Sequence, residues 1–575
     1  MFDNSEKSIN QNSLTQTAIW QKLIAQQKQM QNFSMRLAFA QNAQRFKHFS
    51  LQEDGILFDF SKNLIDQTTF DLLIELANQA QIKQAISKLF NGYKVNHTEN
   101  RMALHTALRT PSKHSIKANT LDITAQIDIA LNQMGNLVNE VQGGRWLGFS
   151  GKKITDIVNI GIGGSFLGPK IINEALDPYI NSELDCHFMT NIDGAEFTRL
   201  IKKIKPDTTL FIISSKSFTT LETIKNATAI KNWFISCGGN LQSIDKHFVA
   251  VTSNSKKAIE FDISPENILP IWDFVGGRFS LWSAVGLPVA LMIGMENFRQ
   301  LLAGAFSMDQ HFQNKPLKQN IPVILALLGI WYSNFWQTQT HVICPYSYHL
   351  RNLHEYLQQL EMESNGKSVN IYGKSITYKT APVIWGGAGC NGQHAYHQLL
   401  HQGTHLIPID FIAIKSSPYQ VGDHNLWLYA NCLAQSQTLM IGKSYAEIET
   451  EMIQAGFSQQ EIANCAQHKV CSGNKPSNTL VLDELNPYNL GALIALYEHK
   501  VFVQSVIWQI NAFDQFGVEL GKVASFNIYQ KLSNSNKSEQ KVLNNVDDHN
   551  NSYKLNNLDN STVGLANYFR EVKDG

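Results

Sequence analysis

Between residues 154 and 253 the chain repeats one pattern: a short apolar run, then a longer stretch with apolar residues at helical spacing. "ITDIVNIGIGG" (154–164) precedes "SFLGPKIINEAL" (165–176), "TLFIIS" (209–214) precedes "LETIKNATAIKNWFIS" (221–236), and "HFVAVTS" (247–253) follows. Uninterrupted apolar runs predict strands buried on both faces, and the periodic stretches predict the helices that cover them. A second region of the same kind begins near "THVICPY" (340–346) and continues through "APVIWGG" (381–387) and "HLIPIDFIAI" (405–414). The pattern predicts an α/β chain with two successive parallel-rich sheets, each covered on both faces.

The flanks read differently. Residues 1–50 are rich in Gln, with helical spacing in Ile19, Leu23 and Ile24, and predict a peripheral helical segment. From 531 to 557 the chain turns to Asn, Ser and Lys, with little to bury, and predicts a flexible linker. "LDNSTVGLANYFREV" (558–572) regains amphipathic spacing behind an Asp/Ser/Thr helix start, and predicts a terminal helix docked on the body. The expected organisation is a helical segment to residue 122 and α/β/α domains over 123–292 and 293–530, the second with a helical extension. The linker over 531–557 and a C-terminal helix over 558–575 complete it.

Composition narrows the function classes. Lys plus Arg and Asp plus Glu are equal at 48 each, so no basic surplus points to nucleic acid or a membrane surface, and any anion site must be local. The seven cysteines are scattered without a CxxC pair, which points to a reducing compartment. The first thirty residues lack the charged and apolar regions of a secretory signal. The most apolar stretches, 281–295 and 321–336, fall short of the roughly 20 residues a membrane span needs and predict core helices. A cytoplasmic location is expected.

Candidate chemistry lies at the ends of the predicted strands. "GIGGS" (161–165) fails the G-x-G-x-x-G spacing of a dinucleotide loop; it reads either as a tight turn or as backbone N–H groups facing a polar ligand. "SSKSFTT" (214–220) sets hydroxyls and one ammonium at the same place in the next unit, suiting a monophosphate held without a metal; a solvated loop is the plain alternative. "DFVGGRFSLWSAVG" (273–286) puts Arg278 behind two glycines, where its charge can steady an anionic intermediate or simply pair with a carboxylate. Glu363 in "MESNGKS" (362–368) is a candidate general base or a solvated side chain. In "NGQHAYHQLLHQGTH" (391–405), His394, His397 and His401 share a helix face, but H-E-x-x-H is missing and no carboxylate accompanies them. One catalytic His with structural companions is the better reading. "NPYNLGALIALYEHKVFVQSVIWQINAFDQFGVELGK" (486–522) reads as long buried helices leading to Gln515, Glu519 and Lys522, and by pattern Lys522 passes for a surface lysine.

Together these pieces resemble the glucose-6-phosphate isomerase (phosphoglucose isomerase) family. GIGGS-x-LGP, SSKSFTT-x-ET, GGRFSLWSAVG, MESNGK, NGQHA…HQGT and FDQFGVELGK occur in one order, from about residue 50 to 531, and the likeness resumes in "DNSTVGLANYFRE". The resemblance implies two sugar-isomerase (SIS)-type α/β/α sandwiches with peripheral helices. It also implies a reversible, cofactor-free and metal-free aldose–ketose isomerisation of D-glucose 6-phosphate and D-fructose 6-phosphate, a step of glycolysis and gluconeogenesis.

Carried over residue by residue, the likeness assigns the phosphate to Ser215, Lys216, Ser217 and Thr220, and the sugar to Gly164, Ser165, Gln359 and Gln515. It assigns ring opening to His394 and Lys522, proton transfer through a cis-enediol(ate) to Glu363, and charge stabilisation to Arg278. The family is dimeric, with His394 contributed to the neighbouring subunit's site. Ser217 stands where the family often has Thr, keeping the hydroxyl, and Phe166 stands where many relatives have Asp. A phosphosugar-binding regulator without catalysis would lose some of Glu363, Arg278, His394 and Lys522, and all four are present. Isomerases with another phosphosugar preference and an extracellular signalling role are further readings, the last untouched by these residues.

Overall fold

The computed structural model describes residues 14–112, 117–118, 121–181, 183–533 and 558–571. The chain divides into two compact units, residues 1–513 and 514–575.

Besides a two-stranded pairing of Lys117–Ala118 with Leu121–Asp122, the first unit holds two larger sheets. One has five parallel strands in the spatial order Asp185–Met189, Asp156–Ile160, Thr209–Ser214, Phe248–Thr252, Ile268–Pro270. Its central strand Thr209–Ser214 is buried throughout, and its alternate residues separate: Leu210 and Ile212 join one apolar cluster, Phe211 and Ile213 another. That is the period-two signature of a strand covered on both faces.

The other sheet has parallel strands Ser477–Glu484, Ile409–Ser416, Thr340–Tyr346 and Val383–Gly386, in that spatial order. Its outer edge is extended by the hairpin Ser50–Glu53 and Ile56–Asp59, which pairs antiparallel with Ser477–Glu484. This corrects the wholly helical reading of the N-terminal stretch. The hairpin turns at Asp54–Gly55, both with positive φ (48° and 80°), the geometry for which Asp-Gly is favoured. The Gln-rich segment does supply a helix, Ala18–Met30, burying Ile19, Trp20 and Leu23.

Two long helices run through this unit. Leu287–Asn314 consists of two helical stretches joined across a kink at Gly294 (φ 81°). Pro487–Ile507 starts at an Asn486 cap, whose side chain accepts from the Asn489 backbone N–H at 2.8 Å. It is long and apolar enough to cross a membrane, but 94% of its apolar window is buried inside the protein. Charged groups on it are paired. Glu498 accepts from Arg109 and from Trp282 Nε1 (2.8 Å), and Arg109 makes a two-pronged contact with Asp309 at 2.8 and 2.7 Å. That buried network anchors Trp282, four residues beyond Arg278.

The second unit contains the turn Phe516–Val518, the helix Glu519–Leu532 and the helix Asn560–Glu571. Asp559 opens the last helix, accepting from the Thr562 backbone N–H at 3.0 Å and its hydroxyl at 2.6 Å. The Asn-rich segment expected to be a linker lies, from 534 to 557, outside the described residues.

Candidate active site

The site is built from four loops of the first unit, and each touches the next. After the strand Asp156–Ile160 the chain turns through Gly161–Ser165 into the helix Leu167–Ala175. Gly161 lies so close to the neighbouring loop that an added Cβ would come within 3.1 Å of the Ser214 carbonyl oxygen. At Gly164 a Cβ would lie 2.0 Å from the carbonyl oxygen of Gly277 and 2.8 Å from the Arg278 nitrogen. Only glycine allows backbone to meet backbone this closely.

The second loop, Ser214–Thr220, leaves the central strand and enters the helix Leu221–Ser236. Ser215 is buried and donates its hydroxyl to Thr220 Oγ1 at 3.3 Å; the hydroxyls of Ser217 and Thr219 lie 2.6 Å apart. Thr220 occupies the N-cap position without a side-chain bond to its helix, so hydroxyls and backbone N–H groups converge at a sixteen-residue helix N-terminus. Phe218, unnoticed in the sequence, shapes this loop. Its φ is 54°, in the left-handed region that costs a side-chain-bearing residue about 1–2 kcal/mol, while its ring is buried against Phe261. The buried ring fixes a turn that leaves Ser217 exposed and Thr219 half-exposed.

Lys216 has a partner the sequence did not disclose. Its ammonium donates to the backbone carbonyls of Asp273 (3.1 Å) and Val275 (3.0 Å), with Asp273 Oδ1 at 3.8 Å. Lys216 therefore ties the hydroxyl loop to the segment leading into Gly276, Gly277 and Arg278. Burial pushes its pKa below that of an ordinary lysine, opposed by the Asp273 carboxylate.

The third loop presents Arg278 from the turn Gly277–Phe279. Its guanidinium is almost fully buried, with Nε donating to Ser364 Oγ at 2.6 Å, Nη2 bonded to the Ala512 carbonyl, and Nη1 3.5 Å from Glu363 Oε2. The fourth element carries Glu363. The helix Leu353–Gln358 widens into a π-helical turn, Gln359–Glu363. Gln359 Nε2 donates to Glu363 Oε2 at 2.9 Å, and the same nitrogen lies 3.1 Å from where a Cβ on Gly163 would stand. The Gln359 side-chain oxygen, Oε1, is buried without a hydrogen-bond partner in the described structure, an acceptor in need of a donor. Behind this turn, Glu361 accepts from Lys500 at 2.8 Å, both side chains buried.

The contacts form a circuit: Gly163 against Gln359, Gln359 on Glu363, Glu363 beside Arg278, Gly277 against Gly164. The hydroxyl loop joins it at Gly161 and through Lys216. Gly164, Ser165, Ser215, Lys216, Ser217, Thr220, Arg278, Gln359 and Glu363 are thereby gathered in one unit. His394 stands apart on the turn between the short helices Gly389–Gln393 and His397–Gln402, exposed, and its imidazole makes no hydrogen bond or ion pair among the described residues. His397 and His401 both bond the Gln435 amide oxygen, at 3.1 and 2.9 Å, as structural companions. Among the described residues no group of three or more His, Cys, Asp or Glu stands close enough to hold a metal. Gln515 precedes the turn Phe516–Val518 and Lys522 lies in the first turns of Glu519–Leu532, both in the second unit.

Over residues 59–554 the chain matches the family model described as phosphoglucose isomerase. The chain belongs to the phosphoglucose isomerase family. It is 54% identical over 557 residues to a glucose-6-phosphate isomerase of Pseudomonas fluorescens, covering 97% of this chain and 98% of the relative. To one of Ectopseudomonas mendocina (strain ymp) it is 51% identical over 562 residues, covering 98% of each. The crystal structure of a glucose-6-phosphate isomerase from Chlamydia trachomatis matches with a TM-score of 0.80 at 28% identity, covering 92% of this chain and 99% of that one. The two covered, parallel-rich sheets are accordingly the sugar-isomerase sandwiches of phosphoglucose isomerases.

Proposed function

We infer that the chain interconverts D-glucose 6-phosphate and D-fructose 6-phosphate in glycolysis and gluconeogenesis. The observation that carries this reading is the contact circuit in which Glu363, Gln359 and Arg278 adjoin a hydroxyl-lined helix N-terminus, within a phosphoglucose isomerase chain.

The phosphate is held by the hydroxyls of Ser215, Ser217 and Thr220, the N–H groups opening the helix Leu221–Ser236, and the charge of Lys216. Gly164, Ser165, Gln359 and Gln515 contact the sugar, and the unpartnered Gln359 oxygen accepts one of its hydroxyls. His394 and Lys522 open the ring, one proton reaching the ring oxygen as the C1 hydroxyl loses one. Glu363 then takes the proton from C2 and returns it at C1, while a hydroxyl proton passes from the C2 oxygen to the C1 oxygen. Carbon oxidation at C2 balances reduction at C1, so no external hydride acceptor enters and no metal is required. Arg278 faces the enediolate charge from a buried position, where a fixed cation acts more strongly than in water.

In this reading the enzyme is a cytoplasmic homodimer that binds neither nucleic acid nor membrane, and the exposed His394 serves the neighbouring subunit. Mixing His394→Ala with Glu363→Gln subunits tests that arrangement. Heterodimers regain one intact site and activity if His394 crosses the interface, and none if it acts within its own chain. The activity itself is tested by fructose 6-phosphate turnover, coupled to glucose-6-phosphate dehydrogenase in buffer containing EDTA. Wild type turns over and Glu363→Gln falls by about 10²-fold or more; a folded wild type without turnover makes the chain a binding protein instead.

A further inference from the structure

In an open parallel sheet, ligands bind beyond the carboxyl ends of the strands, where the strand order reverses direction. In the first sheet this point lies between Asp156–Ile160 and Thr209–Ser214, and the loops leaving those two strands are two of the four elements that build the candidate active site. The second sheet has a reversal of its own. From Thr340–Tyr346 the chain adds Val383–Gly386 on one side, then returns to place Ile409–Ser416 on the other. At the carboxyl ends of Thr340–Tyr346 and Ile409–Ser416 there is a cavity of about 380 Å³, lined by residues that none of the assigned roles uses.

We propose that this cavity is a second ligand site, for an uncharged heteroaromatic ring of the nucleobase class. Its lining contains no Lys or Arg, unlike the first reversal point with Lys216 and Arg278, so it does not suit a phosphate. Its one carboxylate, Asp177, accepts the Tyr419 hydroxyl at 3.1 Å. The nearby Arg351 lies over the Tyr348 ring and 3.5 Å from Glu174, so its charge is already paired. The walls carry flat rings: His349 and Tyr419 stack with centroids 5.4 Å apart and planes 24° from parallel, and Tyr348 and Tyr429 also line the cavity, a wall chemistry suited to a planar guest. His349 is held in place by donating from Nδ1 to the Glu174 carbonyl at 3.1 Å. The lining also includes the polar side chains of Ser347, Ser417 and Asn425. Such a mixed lining suits a planar guest with edge donors and acceptors better than a purely apolar one.

Adenosine is the probe, titrated calorimetrically into the full-length enzyme with and without saturating fructose 6-phosphate. The expected result is saturable binding that fructose 6-phosphate does not displace, with AMP binding no more tightly than adenosine. Tyr419→Ala weakens it about tenfold or more, the loss of one stacking surface, and keeps wild-type turnover. Absence of saturable binding overturns the proposal, as does displacement by fructose 6-phosphate or undiminished binding to Tyr419→Ala. Equal binding of glucose with the same dependence on Tyr419 overturns the assigned ligand class.

Discussion

Lys500 and Glu361 form an ion pair of 2.8 Å directly behind the π-helical turn that carries Glu363. Glu361 also accepts from Asn365 at 3.1 Å. In the orientation that satisfies both ends of its amide, Gln504 donates to the two Glu361 oxygens at 3.0 and 3.1 Å. The pair therefore fixes the buried side of the turn, and with it the register in which Gln359 and Glu363 meet Arg278. Removing one partner of a buried pair strands the other charge, at a typical cost of ~3–5 kcal/mol. Lys500→Met is expected to lose about that much in urea unfolding, and its folded fraction to lose kcat about tenfold or more with KM little changed. Lys500→Met combined with Glu361→Met should recover most of the stability without recovering kcat. Wild-type kcat in both variants would show that the turn holds its register unaided.

Lys216 should affect binding more than chemistry. Its ammonium ties the hydroxyl loop to the segment before Arg278 and supplies charge where the phosphate is proposed to sit. A hydrogen bond to a charged group is worth about 1.5–3 kcal/mol, so Lys216→Gln is expected to raise KM for fructose 6-phosphate roughly 10- to 100-fold. Because burial lowers the Lys216 pKa, the ammonium is lost at a lower pH than in an ordinary lysine. Wild-type kcat/KM should therefore fall at alkaline pH earlier than lysine titration normally brings, and that limb should vanish in Lys216→Gln. An identical alkaline limb in both proteins would assign it to another group.

His311 sets an acid limit on stability. The Ile321 backbone N–H donates to its Nε2 at 2.9 Å, which requires the unprotonated nitrogen, and burial lowers its pKa to about 4 against the pull of Glu53. Lys315 and His499 act in the same direction as burial. The unfolded chain thus binds a proton near pH 6.5 that the folded chain refuses until about pH 4, and stability falls with pH across that window. The loss is on the order of 3 kcal/mol by pH 4. Urea unfolding at pH 7 and pH 5 should show a smaller difference for His311→Gln than for wild type; equal differences would remove His311 as the cause.

Much of this was legible in the sequence, and what was not has a physical pattern. The central strand is readable at Thr209–Ser214 because a strand covered on both faces needs an unbroken apolar run; the glycines of 161–165 signal a turn, but not the close approach of Gly164 to Gly277. Glu363 was readable only through its company: a lone Glu in "MESNGK" carries no signal of the π-turn that aims it. Lys500 lies 139 residues beyond Glu361, and no local rule connects them. Lys216 was read as a phosphate ligand by composition, while its bonds to Asp273 and Val275 depend on a segment 57 residues away. Phe218 shows the opposite failure, since an apolar residue inside a polar loop looks incidental until its left-handed backbone and buried ring are seen together. The Asp54–Gly55 turn was available from its dipeptide alone.

The central claim is that Glu363 carries the proton between C2 and C1, and isotope exchange tests it most directly. Fructose 6-phosphate is incubated in D2O with wild type and Glu363→Gln, and deuterium at C2 of the glucose 6-phosphate and at C1 of the recovered ketose is followed by NMR. The account predicts incorporation with wild type, and with Glu363→Gln a loss of about 10²-fold or more while the sugar phosphate still binds. Undiminished incorporation with Glu363→Gln would contradict it.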